Sequence, residues 1–144
     1  MVRLPLAAPG LGLALGLAAL ASPAAAQNAT VTLTFETEAR TGAVMVALYD
    51  SAAAWTGGRA VAQMRLDASD GAPTAVFPDL PPGEYGAKAF HDVDGDGEMN
   101  VNPFGIPIEP YAFSNNAVGN MGPASWERAR FTVSGPTAQT IRLR

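Results

Sequence analysis

Residues 77–85 read Phe77-Pro78-Asp79-Leu80-Pro81-Pro82-Gly83-Glu84-Tyr85, a strand end, a double proline and a glycine before the next strand within nine residues. Thr74-Ala75-Val76-Phe77 is a short run of strand formers that places the Phe77 ring in a core. Pro81 and Pro82 lack the N–H that a β-ladder needs, so pairing stops there. Gly83 is expected to take a φ > 0 conformation that returns the chain to a sheet, where Tyr85 packs. Two strands joined by a stiff corner, with no helical periodicity around them, describe a β-sheet protein.

The pattern extends in both directions. Val31, Leu33 and Phe35 alternate with Thr30, Thr32, Thr34 and Glu36, as in a half-buried strand. Past a turn at Arg40-Thr41-Gly42, Val44, Val46 and Leu48 point one way and Met45, Ala47 and Tyr49 the other, so both faces are apolar and the strand is central. Ala52-Ala53-Ala54-Trp55 has helix-forming residues but is too short to nucleate alone, and Gly57-Gly58 ends it. Within Ala60–Leu66 the inward set is Ala62, Met64 and Leu66. A strand runs from Tyr85 to about His91; Ala129, Phe131 and Val133 alternate; Ile141 and Leu143 follow the Ser134-Gly135-Pro136 turn. Seven short strands make the chain all-β, an antiparallel β-sandwich with one long ordered loop and a single helical turn. Residues 77–85 also resemble the F-x-x-L-P-x-G-x-Y signature of prealbumin-like sandwiches, such as carboxypeptidase regulatory-like domains and repeat domains of Gram-positive surface proteins. The resemblance implies an immunoglobulin-like or prealbumin-like sandwich and a corner that carries no chemistry.

The 144 residues include 9 Lys+Arg, 13 Asp+Glu, one His and no Cys, for a net charge of −4. The cations are scattered rather than gathered into a stripe, which argues against a nucleic-acid partner. Without cysteine there are no disulfides, thiolate nucleophiles or zinc ribbons. Residues 1–26 read as a signal peptide: Arg3, then a Leu/Ala/Gly run, then Ser22-Pro23-Ala24-Ala25-Ala26, with Ala24 and Ala26 fitting the A-x-A cleavage pattern. The apolar stretch Leu11–Ala21 is short for a bilayer span, so no membrane span is expected after cleavage. The expected mature chain is one domain, 27–144, exported to the periplasm or outside the cell.

The chemistry-bearing stretch is His91-Asp92-Val93-Asp94-Gly95-Asp96-Gly97-Glu98-Met99-Asn100. Asp92, Asp94, Asp96 and Gly97 match the D-x-D-x-D-G start of an EF-hand-type loop, in which alternate positions supply oxygens to calcium. The Glu98 carbonyl falls at position 7 and Asn100 at position 9. Pro103 stands where the bidentate Glu of position 12 would be, leaving Asn102 or Glu109 to complete the shell. The metal set is therefore Asp92, Asp94, Asp96, Glu98 and Asn100, and the cofactor is calcium. The plain alternative is an acidic turn, since Asp and Gly are turn residues in any case.

The segment from Val101 to Arg128 is long for a loop, yet Phe104, Ile106, Ile108, Tyr111, Phe113, Met121 and Trp126 make it too apolar for a linker. It is expected to fold back over one end or edge of the sandwich, with a helical turn at Ser125–Arg128. His91, Tyr111, Phe113, Asn115, Asn116 and Trp126 are candidates for a ligand or partner surface. For the two Asn residues the alternative is local turn capping.

His91-Asp92, the Asp/Gly loop, Phe104-Gly105-Ile106-Pro107, Glu109 through Ala117 (E-P-Y-A-F-S-N-N-A) and Gly122-Pro123 together resemble a family of small exported bacterial proteins catalogued as a domain of unknown function. Asp94 and Asp96 stand where Asn is common in that family, Asn100 where Asp is common, and Pro110 where Gly is common. The resemblance implies an exported bacterial sandwich and brings no activity with it.

Two functional readings follow. One is a non-enzymatic binding or accessory domain for a glycan, peptide or protein at the cell envelope, with its acidic loop at 92–100 taking calcium. The other is a small hydrolase centred on His91 and Asp92. No G-x-S-x-G elbow accompanies the histidine, and a lone His at a strand end is more often a structural hydrogen-bonder. Partner identity and oligomeric state are not legible.

Overall fold

A computed structural model describes residues 25–144, so the leader expected over 1–26 lies outside the described residues but for its last two. Eight strands form two sheets: β1 Ala29–Glu36, β2 Ala43–Tyr49, β3 Ala62–Asp67, β4 Thr74–Leu80, β5 Gly83–Asp92, β6 Tyr111–Phe113, β7 Phe131–Val133 and β8 Thr137–Arg142. One sheet has the order β4-β1-β8; the other runs β3-β2-β5-β6, with β7 pairing the beginning of β5. Val31, Leu33, Phe35 and Phe77 from the first sheet meet Val44, Val46, Leu48, Tyr85, Ala87 and Ala89 from the second in one apolar core. The all-β sandwich is as the strand pattern reads. Among the described residues no helix is long and apolar enough to cross a membrane.

Three details differ from the sequence expectation. β1 and β8 pair in parallel, with Val31 opposite Thr137 and Glu36 opposite Arg142, so the sandwich is not wholly antiparallel. The eighth strand, β6, is three residues long, and its place in the sheet depends on β5 beside it rather than on its own pattern. The short Ala52–Trp55 run does become a helix, α1 at Ala52–Gly57: the Ser51 hydroxyl caps Ala54 N–H at 3.2 Å, and Trp55 is buried. Capping and packing supply what local nucleation cannot.

The corner at 77–85 works differently from its reading as well. The positive φ lies at Asp79 (55°) rather than Gly83, in the bulge where Ala29 opposes Leu80 and Val31 opposes Phe77. Tyr85 closes the corner by donating its hydroxyl proton to the Pro81 carbonyl at 2.8 Å, the device known as a tyrosine corner in sandwich folds.

The second face of the five-stranded sheet is covered too. Tyr49, Trp55, Phe113, Ala124, Trp126 and Ala129 form a separate apolar cluster there, contributed by α1, β6 and a second helix, α2, at Trp126–Ala129. Gly86 permits this stacking, since a Cβ on it would lie 2.9 Å from the Trp126 ring and 3.0 Å from the Trp55 ring. The segment 101–128 thus lies against the outer sheet face and does not merely skirt an edge.

Candidate functional site

β5 delivers His91 and Asp92 to one end of the sheet, and the next eight residues form the acidic loop. Asp92 is fully buried, and its carboxylate accepts from Gly95 N–H at 2.8 Å and Gly97 N–H at 3.0 Å. Gly95 and Gly97 hold φ of 80° and 85°, which lets the chain curl around that carboxylate. Asp94 accepts from Asp96 N–H at 3.2 Å and Asp96 from Glu98 N–H at 2.8 Å, leaving both side chains exposed on the rim. Carboxylate oxygens of Asp92, Asp94 and Asp96 all fall within 4.8 Å of one another.

Glu109, seventeen positions beyond Asp92, returns to this loop. Its Oε1 accepts from Val93 N–H at 2.8 Å and its Oε2 from Asn100 N–H at 3.1 Å, in a mostly buried setting. Asn102 is occupied elsewhere: its Oδ1 accepts from Phe104 and Ile106 N–H, closing a separate turn. Of the two residues expected to complete the shell, Glu109 therefore lies at the loop.

Asn100 has oxygen on every side. With its amide nitrogen donating to Asp94 Oδ2 at 3.3 Å, its amide oxygen has the Glu98 carbonyl, Asp96 Oδ2 and Glu109 Oε2 as neighbours. Turned over, the nitrogen instead reaches those three acceptors at 3.0, 3.3 and 3.2 Å. Oxygens bound to one calcium at about 2.3–2.6 Å, with neighbours about 72–90° apart, lie about 2.7–3.7 Å from each other. The donor set is all oxygen and rich in carboxylate, which suits a hard cation such as calcium, magnesium or manganese. Arg65 is the nearby cation, 3.9 Å from Asp92 Oδ2 and half exposed.

His91 is 1% exposed. Its Nε2 lies 2.7 Å from the Thr41 carbonyl, which can only accept, so the proton is assigned to Nε2; buried Nδ1 has no partner. The partner-surface candidates divide. Tyr111 is 40% exposed, whereas Phe113 and Trp126 are buried in the outer cluster. Asn115 donates to the carbonyls of Arg128 and Arg130 and exchanges two bonds with Gln139, and Asn116 bonds Thr140 O and Arg142 N–H. These side chains clamp the segment to β8 and α2; the reach is longer than the turn capping weighed from sequence. Ser114 does the same at a deeper level, accepting from Ala87 N–H at 2.9 Å and donating to Ala129 O.

Between the outer face of the five-stranded sheet and two arms of the covering segment lies a cleft of about 1160 Å³. Met45, Ala47, Tyr49, Lys88 and Phe90 form its floor; Met99, Ile106 and Met121 stand on the arms. Lys88 was not singled out from sequence, although it is the only lysine in the chain and sits between Ala87 and Ala89 on an apolar strand. Its ammonium donates to Trp55 O at 2.8 Å and lies 4.7 Å and 4.5 Å from the ring centres of Tyr49 and Trp55. Burial lowers its pKa from the ordinary lysine value.

The chain belongs to the family described as uncharacterized protein conserved in bacteria (DUF2141), whose sequence model matches residues 30–142. Comparison with curated proteins and with solved structures gives no match.

Proposed function

We propose that this member of an uncharacterized bacterial family is an exported, non-enzymatic binding or accessory domain whose 92–100 loop takes a calcium ion. The observation that carries the calcium reading is the oxygen cage around Asn100, in which Asp94, Asp96, the Glu98 carbonyl and Glu109 all lie within hydrogen-bonding distance of one amide. Asp92, Asp94, Asp96, the Glu98 carbonyl, Asn100 and Glu109 would hold the ion. Its charge offsets the mutual repulsion of the carboxylates, and Glu109 then ties the covering segment to the end of β5. The partner would be a glycan, peptide, protein or small molecule of the cell envelope.

The hydrolase alternative draws no support from this geometry. His91 is buried and its Nε2 bonds a backbone carbonyl, while its Nδ1 has no partner, so Asp92 does not orient it as a catalytic pair would require. The test is thermal unfolding of the purified protein in EDTA, millimolar calcium and millimolar magnesium. Ligand bound only to the native state stabilises by about 2.7 kcal/mol at 100 times its Kd. A calcium-selective rise in Tm is expected; superimposable curves, with no heat in a calcium titration, would refute the calcium reading.

A further inference from the structure

We propose that the outer-sheet cleft binds a single-chain amphiphile with a carboxylate head, with Lys88 receiving the head and the apolar floor and methionine-bearing arms receiving the alkyl chain. This deepens the binding-domain reading and does not depend on calcium. At about 1160 Å³ the cleft is slightly larger than the usual small-molecule site, and it is lined mainly by apolar side chains with a few polar groups, as such sites are. Its cations differ in one respect. Arg65 has Asp92 as a counter-ion, whereas Lys88 has no carboxylate within 4.0 Å among the described residues. Ion pairing is how a partly buried ammonium is ordinarily compensated. Lys88 instead has one carbonyl and two aromatic faces, so two of its three N–H donors remain for a ligand.

The chemistry of those donors selects the head group. A lone ammonium with two free protons suits a monoanion with two oxygens; phosphate recognition favours a guanidinium fork or several cations. A peptide would fit poorly, because the floor is a sheet face whose backbone groups are already paired in the β2, β3, β5 and β6 ladders. An extended chain could not pair its own N–H and C=O groups there. The alkyl chain has Met45 and Phe90 beside it and Met99, Ile106 and Met121 above. Methionine packs adaptably against such a chain. Ile106 and Met121 are strongly exposed, large apolar groups that an occupied cleft would cover.

Because Lys88 is the only lysine, biosynthetic incorporation of ¹³C-lysine labels it alone and leaves its three N–H donors intact. The purified protein, labelled and unlabelled, is titrated with decanoate below its micellar concentration, in EDTA and in calcium. Expected are a saturable one-to-one isotherm in both conditions, a shift of the Lys88 ¹³Cε signal, and a change in tryptophan emission. Decanol and decyltrimethylammonium should bind at least tenfold more weakly, and decyl phosphate no better than decanoate. Lys88→Met should lose at least tenfold in decanoate affinity with decanol unchanged. Should that variant fail to fold, Met121→Glu, at a fully exposed position, should weaken decanoate by a similar factor. Equal binding of decanoate and decanol, tighter binding of decyl phosphate, or no saturable binding would each overturn the proposal. Binding in EDTA without a calcium shift in Tm would sink the calcium reading alone.

Discussion

The two halves of the acidic loop should respond to mutation in opposite ways. Asp92 is a buried acceptor around which the chain is wound, and Asp94 and Asp96 are rim carboxylates. Replacing Asp92 by Ala abandons two N–H groups bonded to a charged acceptor, each bond contributing about 1.5–3 kcal/mol. Relief of repulsion offsets part of this, since unit charges 4.8 Å apart repel by about 0.9 kcal/mol in water. With two such neighbours the net loss is about 1–4 kcal/mol, or roughly 4–20 °C in Tm for a domain of this size, already present in EDTA. The Asp94→Asn, Asp96→Asn double variant keeps an amide oxygen at each position for the same backbone bonds and removes two charges. Its Tm in EDTA should equal the wild-type value or exceed it by a few degrees at low salt, while its calcium response disappears. Differential scanning calorimetry of the three proteins, each with and without calcium, reads both effects. If the double variant melts as early as Asp92→Ala in EDTA, or keeps the full calcium shift, the division of roles is wrong.

Other tests probe the frame. Ser114→Ala leaves the buried Ala87 N–H and Ala129 carbonyl unpaired, and should lower stability by about 2–4 kcal/mol in urea melts, with Ser114→Thr intermediate. Gly86→Ala drives a methyl into the Trp55 and Trp126 rings and should cost about 1–3 kcal/mol, with a change in tryptophan emission that Gly135→Ala, which meets open space, does not give. Alkaline behaviour should be two-sided. Burial lowers the Lys88 pKa below 10.5, so the native state sheds its proton before the unfolded chain and stability climbs as pH approaches that value. Burial raises the Tyr49 pKa above 10.0, and burial with the Asp50 charge raises that of Tyr85, so the native state retains protons the unfolded chain has lost and stability falls once pH passes 10. Urea unfolding from pH 8 to 11 should show that rise and fall, and Lys88→Met should show only the fall.

Much of the molecule follows from local pattern. Alternation at Val31, Leu33 and Phe35, and on both faces of Val44–Tyr49, specifies strands and their burial, because side-chain direction reverses at each residue whatever the partner strand is. The doubly apolar face of β2 even announces that something must cover the outer sheet. The Asp-x-Asp-x-Asp-Gly spacing places three carboxylates together for the same local reason, since a curl enforced by two glycines brings alternate residues onto one side. Proline spacing also marks the corner before Tyr85, although not that Asp79 takes the strained conformation.

Other features depend on residues far apart in the chain. β8 lies parallel to β1 because Ile141 and Leu143 can enter the core in that register, a choice no window around residues 137–143 contains. Glu109 rather than Asn102 reaches the acidic loop because β6 anchors the returning chain beside β5, which leaves Asn102 to close its own turn. Phe113 and Trp126 look like partner-binding aromatics in a loop, and burial against Trp55 and Gly86 turns them into core. Lys88 becomes notable only when Tyr49, Trp55 and the two arms surround it. Seven of the strands, the position of the corner and the acidic loop are legible in local pattern, since those rest on backbone geometry over a few residues. Which carboxylate returns to the acidic loop, which aromatics are exposed and which side chains line the cleft emerge in the folded chain alone, because those depend on non-local packing that closes long loops against chain entropy.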